Sequence, residues 1–434
     1  MKRLLTASFF LFSWGFSIAQ SSHCLADRYS QDALFDSTDI QITTDLHYAT
    51  SMRWPSTEMD SLWMDVYQPN PTIDPLEKRP LILMVHGGAF LVGEKEEMAY
   101  FCMEMARRGF VTATISYRLG WDCPASDFAG VCGQCQGAAE VAKFRIAMYR
   151  GAQDTKAALR YITAFSDSYG IDTSAVFLQG ESAGSINALQ ATFLQQSEVN
   201  AWCPACVDEV GLLDTTGNDF TVTPNIKGVV NSCGAVGMID MVNAEDDVPV
   251  VSFHDDNDIV VPFGYGSFVN CLIGGNGSNS IRARLTDNGT CNQLNKIEYL
   301  PWPIGPLPQH CSYPRNAIIG KASCFIKNLM CNDCSTSINT QIWNIPDCSA
   351  GGIISVQERE VEQWVSLHGN QLVFNQEAQV TSIQVFDLSM RLVADVAVSG
   401  SNKVELPSSL RGCMLVKIET ENRSAEVKKW CNFY

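Results

Sequence analysis

One pentapeptide has the residue types and the spacing of a nucleophilic serine. The sequence GESAG begins at Gly180, after a predicted strand and before a predicted helix. In that context a serine sits on a sharp, strained turn with its hydroxyl exposed. Glycine at positions 180 and 184 removes the clash that bulkier residues would make there. Ser182 is therefore predicted to be a nucleophile.

A second glycine-rich sequence can stabilise negative charge. The sequence HGGAF begins at His86 and follows a predicted strand at residues 81–85. Glycines allow the backbone N–H groups of Gly87 and Gly88 to approach an oxyanion closely, and the N–H of Ala183 adds a third donor. These three groups are the predicted oxyanion hole.

A serine nucleophile also needs a base and a carboxylate that orients the base. In an architecture of alternating strands and helices, these residues come in the chain order Ser, Asp, His. His310 follows a predicted strand at 296–301 and precedes a predicted helix at 318–330, so it is the predicted base. Asp258, in the segment that follows a predicted strand at 248–253, is the predicted acid.

Other residues compete for the roles of acid and base. The alternatives for the acid, all at or after predicted strands, are Asp255, Asp256 and Asp240. The remaining histidines fit the base less well, because they precede the sheet, belong to the glycine-rich loop, come before the acid or fall in the C-terminal segment. They are His23, His47, His86, His254 and His368.

The elements that must position these residues alternate along the chain. Short apolar runs rich in β-formers alternate with helical patterns, which predicts an α/β fold with a mostly parallel sheet covered by helices. The other predicted strands are 111–117, 175–179 and 228–232, and the other predicted helices are 98–107 and one capped by Asp154 that ends near Gly170. Cysteine-containing insertions are predicted at 122–150, 200–224 and 266–293.

Together these motifs resemble the α/β-hydrolase superfamily. Three further pieces carry the resemblance: MDVYQP from Met64, SYRL from Ser116 and YGID from Tyr169. The chain is most similar to secreted carboxylesterases with an HGG-type oxyanion loop, close to the hormone-sensitive-lipase, type-B carboxylesterase and feruloyl/acetyl-xylan esterase groups. The resemblance covers about residues 62–330 and departs from the family at Ala89, where a third glycine is usual.

The resemblance implies a serine carboxylesterase that forms an acyl-enzyme and needs no metal or cofactor. Its expected substrates are small-molecule esters or acyl groups linked to polysaccharides or lipids. Two alternatives remain. One is a serine peptidase on the same fold, although such peptidases commonly carry a large propeller domain. The other is a non-catalytic binding protein on an esterase scaffold.

Composition limits the partners and the compartment. The 434-residue chain has a formal net charge of −17, which argues against nucleic-acid binding. Residues 1–19 have the basic start and short apolar run of a secretory signal peptide. No later apolar run is long enough for a transmembrane segment, and a lipid anchor at Cys24 is a weaker alternative to secretion.

The chain contains 17 cysteines, and an exported protein is expected to pair most of them. Three CxxC pairs stand out, and disulfides are favoured over zinc because no suitably spaced histidines accompany them. They are Cys132/Cys135, Cys203/Cys206 and Cys331/Cys334. Cys311, beside the predicted base, is likewise expected to be disulfide-bonded rather than catalytic. Connectivity stays open at this point.

The last 80 residues differ from the rest, because beyond residue 370 short β-rich runs replace helical periodicity. The predicted division is a signal peptide at 1–19, a catalytic α/β-hydrolase domain at 20–350 and a small sandwich-like β domain at 355–434. The β segment is similar to the type IX secretion sorting domain of Bacteroidetes. That similarity implies that the type IX machinery exports the protein to the outside or the cell surface, and a carbohydrate-binding or Ig-like appendage is the alternative.

Overall fold

The structure is a computed structural model that describes residues 23–121, 138–270, 272–298 and 309–349, together with the strands of the C-terminal segment. Its main sheet has nine strands. These are β1 (Ile40–Met52), β2 (Met59–Pro69), β3 (Arg79–Val85), β4 (Val111–Ile115), β5 (Ile171–Glu181), β6 (Ile226–Ser232), β8 (Val250–Asp255), β11 (Asn292–Ile297) and β12 (Ser337–Asn339). Three short strands form a separate sheet: β7 (Ala235–Val236), β9 (Tyr265–Ser267) and β10 (Gly274–Gly277).

The strand order identifies the fold. The main sheet runs β1-β2-β4-β3-β5-β6-β8-β11-β12. The pairings β1 with β2 and β2 with β4 are antiparallel, and the remaining neighbours are parallel. A mostly parallel sheet in which β3 and β4 exchange places is the arrangement of the α/β-hydrolase fold. The predicted fold class is confirmed.

Helices cover both faces of this sheet. Among the described residues, the helices longer than one turn are α1 (Ala99–Arg107), α2 (Ala138–Ala164), α3 (Ala183–Phe193), α4 (Gln196–Trp202), α5 (Cys206–Val210), α6 (Ser278–Asn288) and α7 (Arg315–Met330). Alternate residues of β3 point to opposite faces: Leu81 and Leu83 pack in the core with α2 and α3, and Ile82 and Met84 pack in the core with α1 and α7. Each such buried side chain contributes about 1.5–3 kcal/mol to stability. This packing on both faces holds the carboxyl ends of the strands, which carry the predicted site, in fixed positions.

Helix α2 begins earlier than the sequence predicts. The predicted cap, Asp154, lies in the middle of the helix and is fully buried. Its carboxylate accepts hydrogen bonds from the backbone N–H and the guanidinium of Arg118, so this aspartate serves a tertiary ion pair and caps no helix. The second half of the predicted 122–150 insertion is therefore helical, and residues 122–137 lie outside the described part.

Nearly all described residues of the C-terminal segment lie in strands. They are β13 (Val365–His368), β14 (Gln371–Phe374), β15 (Val380–Phe386), β16 (Leu392–Val396), β17 (Lys403–Glu405), β18 (Gly412–Thr420) and β19 (Glu426–Asn432). They form two sheets, β13-β14-β17 and β16-β15-β18-β19. Leu372 of the first sheet and Ile383 and Ile418 of the second belong to one buried cluster. This pairing of sheets fits the predicted sandwich, whereas the domain boundaries stay a prediction.

Five disulfides join described residues. They are Cys24–Cys331, Cys203–Cys206, Cys233–Cys311, Cys291–Cys334 and Cys324–Cys348. One CxxC pair is thus bonded to itself, but Cys331 and Cys334 each bond to a distant partner. Cys132 and Cys135 lie outside the described residues. Disulfides of this number fit an oxidising compartment. Among the described helices none is both long enough and apolar enough to span a bilayer.

Candidate active site

Ser182 stands on a tight turn between strand β5 and helix α3. Its backbone φ is 54°, a left-handed conformation that non-glycine residues adopt at a cost. The turn is held because the Ser182 N–H donates to the Ser232 carbonyl at 2.8 Å. A Cβ at Gly184 would lie 2.0 Å from the Val85 carbonyl oxygen, so only glycine allows α3 to pack this close to β3. The predicted reason for glycine here is correct.

Three predicted residues meet at the carboxyl ends of the strands. The Ser182 Oγ lies 2.8 Å from the His310 Nε2, and the His310 Nδ1 lies 2.7 Å from the Asp258 Oδ2. Because the carboxylate can only accept, Nδ1 carries the imidazole proton and Nε2 is left to accept the proton of Ser182. This is the geometry of a serine nucleophile, a base and an orienting acid.

The Asp258 carboxylate is saturated with donors. One oxygen accepts the backbone N–H groups of Val260 and Val261 at 2.8 and 3.0 Å. The other faces His310 and also the Nε2 of His254 at 3.3 Å. Burial opposes ionisation of this group, but the hydrogen bonds from the two histidines outweigh it and lower the pKa of Asp258 to about 2. The carboxylate is therefore charged at neutral pH.

His254, which the sequence indicates only as a weaker candidate base, contacts the acid instead. It is fully buried, and its Nε2 lies near two acceptors, the Asp258 carboxylate and the Val261 carbonyl. Its Nδ1 lies 2.7 Å from the Ser278 hydroxyl, which in turn accepts from the Asn231 amide at 2.9 Å. This series of hydrogen bonds places the His254 proton on Nε2, from which it can be donated to the Asp258 carboxylate. Its position at the end of a buried strand, four residues before Asp258, is the signal that could have found it.

The alternative acids have other partners. One Asp255 oxygen accepts the Ser312 backbone N–H at 2.9 Å, and burial raises the pKa of this carboxyl. Asp256 lies 3.9 Å from the Lys296 ammonium, and Asp240 pairs with Arg284 at 2.9 Å. Of the alternative bases, His23 pairs with Asp172, His47 lies beside Trp63 with the two rings tilted, and His368 lies in strand β13.

The predicted oxyanion loop lies against the nucleophile. A Cβ added at Gly87 would lie 3.4 Å from the Ser182 Cβ, and Gly88 has φ +101°, with a Cβ position 1.9 Å from the Val92 carbonyl oxygen. Ala183 is the first residue of α3, so its N–H is one of the donors that the helix leaves without a backbone partner. Its position at the positive end of the helix dipole favours an anion there.

The Tyr117 side chain packs against this loop. Its hydroxyl lies 3.2 Å from the His86 carbonyl and 3.1 Å from the Gly87 carbonyl, and its ring stacks on the His86 ring. The loop continues through Ala89 and Phe90, which have φ of 55° and 62°. The residue that departs from the family's third glycine thus keeps a conformation that favours glycine.

A disulfide fixes the residue beside the base. Cys311 is bonded to Cys233, which follows strand β6. This agrees with the expectation that Cys311 is disulfide-bonded and not catalytic. These two cysteines and His310 are near enough to share a metal ion. Because both sulfurs are consumed in the disulfide, they cannot act as the thiolate ligands that zinc prefers.

Two spaces meet at Ser182. The first is a small pocket of about 20 Å³, lined apart from Ser182 by apolar side chains: Ala89, Phe90, Trp121, Phe144, Ala183, Ile186, Val260, Val261, Phe268, Val269 and Leu272. The second is an open cleft of about 400 Å³ that contains His310, Gly87 and Gly88 as well as two carboxylates, Glu97 and Glu181. Burial raises the pKa of Glu181, against the opposing effect of Arg315 and His310.

Two family profiles match parts of the chain. Residues 21–122 match the carboxylesterase family, and residues 145–257 match BD-FAE. Among curated proteins, the chain is 27% identical to gut esterase 1 of Caenorhabditis elegans over 135 residues, 31% of this chain and 21% of that protein. It is 31% identical to para-nitrobenzyl esterase of Bacillus subtilis over 142 residues, 32% of this chain and 26% of that protein. The matched segments thus span only about a quarter of those relatives.

Solved esterase structures are similar at lower identity. Esterase B from Lactobacillus rhamnosis is 17% identical with a TM-score of 0.39, covering 66% of this chain and 81% of that one. A truncated carbohydrate esterase from gut microbiota is 16% identical with a TM-score of 0.44, covering 69% of this chain and 99% of that one. The first profile and both curated relatives are esterases by name.

Proposed function

We propose that the protein is a serine carboxylesterase. The observation that carries this proposal is the hydrogen-bonded series from Ser182 through His310 to Asp258, set in an accessible cleft. The family profiles and curated relatives point to the same reaction.

The first half-reaction acylates Ser182. His310 takes the hydroxyl proton through Nε2 while the Ser182 Oγ attacks the ester carbonyl. The N–H groups of Gly87, Gly88 and Ala183 stabilise the oxyanion that forms, and the Asp258 carboxylate stabilises the imidazolium. Collapse of the tetrahedral intermediate breaks the bond to the alcohol oxygen, which takes its proton from His310.

The second half-reaction releases the acid. A water molecule enters from the side that the alcohol has left and gives its proton to His310 as its oxygen attacks the acyl carbon. The second intermediate collapses, and the proton returns to the Ser182 Oγ. Bonds and protons balance without a metal ion or a redox cofactor.

The reaction is tested by hydrolysis and by covalent labelling. Purified protein is expected to hydrolyse p-nitrophenyl acetate, and a stoichiometric amount of an aryl phosphonate ester should abolish turnover because phosphonylation traps the nucleophile. Mass spectrometry should locate the added mass on the peptide that contains Ser182. Absence of hydrolysis, or a label on another residue with full loss of activity, would contradict the proposal.

We propose further that the natural substrates include acyl groups on polysaccharides. The open cleft of about 400 Å³ has room for a sugar on the alcohol side, and carbohydrate esterases occur among the similar structures. Acetylated xylan and methyl ferulate, assayed beside p-nitrophenyl esters, would separate deacetylation from release of hydroxycinnamic acids.

Export is the second part of the proposed biology. We propose that residues 1–19 direct the chain out of the cytoplasm and that residues 355–434 are a type IX sorting domain. The disulfides among described residues support an oxidising destination. Secretion through two membranes would bring the esterase to insoluble substrates outside the cell.

Removal of the C-terminal β segment tests this division. A chain that ends after Ser349 keeps the Cys324–Cys348 disulfide and the whole proposed site. We expect it to hydrolyse p-nitrophenyl acetate with unchanged kcat/KM, and in the native host to remain in the periplasm. Normal export with poorer action on insoluble polysaccharide would instead indicate a binding appendage, and loss of activity on the soluble ester would contradict both views.

A further inference from the structure

The position of His310 assigns the two spaces around Ser182. In an acyl transfer the base must reach the oxygen of the leaving alcohol, because it returns the proton to that atom. His310 lines the open cleft, whereas the apolar pocket is formed without it. The alcohol therefore occupies the cleft, and the acyl chain enters the pocket on the other side of Ser182.

The pocket is small. Its volume of about 20 Å³ compares with roughly 10–15 Å³ needed by one water molecule measured in the same way. A methyl group is close to water in size, so the space accepts the methyl of an acetyl group and little more. Its walls, apart from the serine hydroxyl, are apolar, which suits a hydrocarbon terminus and excludes a charged or hydroxylated one.

Phe144 lies among the aromatic side chains that line the pocket. Its ring centre lies 4.9 Å from that of Trp121, 5.7 Å from that of Phe90 and 5.5 Å from that of Phe268. All four side chains are almost fully buried. A ring packed on three others cannot turn aside for a longer chain without displacing its neighbours.

The walls are also tied to the catalytic loops. The Trp121 indole N–H donates to the Ala89 carbonyl at 3.1 Å, which joins the pocket to the oxyanion loop. The Val269 N–H donates to the Val260 carbonyl at 2.8 Å, and the Val260 N–H in turn donates to Asp258. Moving the Trp121 or Val269 wall outward would therefore disturb the oxyanion loop or the acid, whereas shortening the Phe144 side chain breaks neither hydrogen bond.

We infer that the esterase is specific for acyl groups of two or three carbons and that Phe144 sets this limit. The inference rests on the proposed function. It narrows the substrate class to acetyl and propionyl esters of large alcohols, and it argues against a hydroxycinnamoyl group, whose aromatic ring does not fit the pocket.

The test is a p-nitrophenyl series with acetyl, propionyl, butyryl, hexanoyl and octanoyl groups, in which the alcohol stays constant. The wild-type kcat/KM is expected to peak at acetyl or propionyl and to fall at least about ten-fold by hexanoyl, since one methylene in an apolar pocket is worth roughly 10–200-fold. Phe144→Leu should raise the hexanoyl-to-acetyl ratio about ten-fold, and Phe144→Ala should raise it further.

The matched control is Phe325→Leu. Phe325 is equally buried but packs on the opposite face of the sheet, so the same change there should leave the ratio unaltered. Phe144→Leu removes less side-chain volume than Phe144→Ala, so it keeps the test informative if the alanine variant fails to fold. A flat chain-length profile, or equal ratios in the two leucine variants, would overturn the inference alone. Hydrolysis of no ester in the series would overturn the proposed function as well.

Discussion

Replacement of Ser182 by alanine is expected to lower kcat for p-nitrophenyl acetate by about 10⁴- to 10⁶-fold. The variant keeps the oxyanion donors and the pockets but has no atom that can form the acyl-enzyme. Initial-rate kinetics measure the loss, and thermal unfolding should show a melting temperature close to that of the wild type, because alanine fits the same turn.

The control for this experiment is Ser168→Ala. Ser168 is exposed and lies in the turn before strand β5, away from the cleft. Its replacement should leave kcat and KM unchanged. Turnover near the wild-type rate in Ser182→Ala would refute the nucleophile assignment, and a large loss in Ser168→Ala would show that the assay reports folding and not chemistry.

Asp258→Asn is expected to lower kcat by about 10⁴-fold with little change in KM. An asparagine amide can donate to the His310 Nδ1, which would place the imidazole proton on Nε2, where it faces Ser182 and prevents the base from accepting. The change also removes the charge that stabilises the imidazolium. Steady-state kinetics separate kcat from KM, and circular dichroism checks the fold.

Two neighbouring aspartates provide matched controls. Asp255→Asn keeps an oxygen that can accept the Ser312 N–H, and Asp256→Asn changes a group 3.9 Å from a lysine ammonium. Both should retain at least about a tenth of wild-type kcat, because neither carboxylate contacts the imidazole. If Asp256→Asn were the disabling change, the choice among the three acids would be wrong.

Local sequence signals were sufficient to predict the three residues of the proposed site. The serine, the acid and the base were each predicted from a strand followed by a polar or glycine-rich turn, and parallel strands bring such turns to one edge of the sheet. The structure brings Ser182, Asp258 and His310 together there. Glycine at position 184 was informative because backbone packing leaves no room for a side chain.

Tertiary partners were not predictable in this way. Asp154 has the type of a helix cap, yet its partner Arg118 lies 36 residues earlier in the sequence, and the buried ion pair outweighs the local preference. The sequence indicates His254 only as a weaker candidate base, because its contact with the acid depends on Ser278 and on how the strands pack. The remote partners of Cys331 and Cys334 likewise depend on the fold, since spacing alone does not encode connectivity.

The bounds of the strand before His310 were also not predictable, for a related reason. The strand before His310 was expected at 296–301, but β11 spans Asn292–Ile297 and pairs with β8. Its residues are largely polar, so apolar periodicity gave little signal, and pairing with a buried neighbour decided where the strand lies.

Left-handed backbone is concentrated around the cleft. Among the described residues, six of the ten non-glycine positions with positive φ belong to the oxyanion loop, the nucleophile turn, the disulfide beside the base or the pocket wall: Ala89, Phe90, Ser182, Cys233, Val269 and Cys311. Each such residue costs on the order of 1–3 kcal/mol. The two buried cores supply the stability that offsets this cost.

In evolutionary terms, a nucleophile on this turn would be maintained against a stability gradient. A descendant that kept the scaffold without the proposed reaction could replace Ser182 with glycine, remove the strain of a left-handed residue and become more stable. Only selection for the proposed reaction would oppose that drift. The serine at position 182 is therefore expected to persist only in descendants that are selected for the proposed reaction.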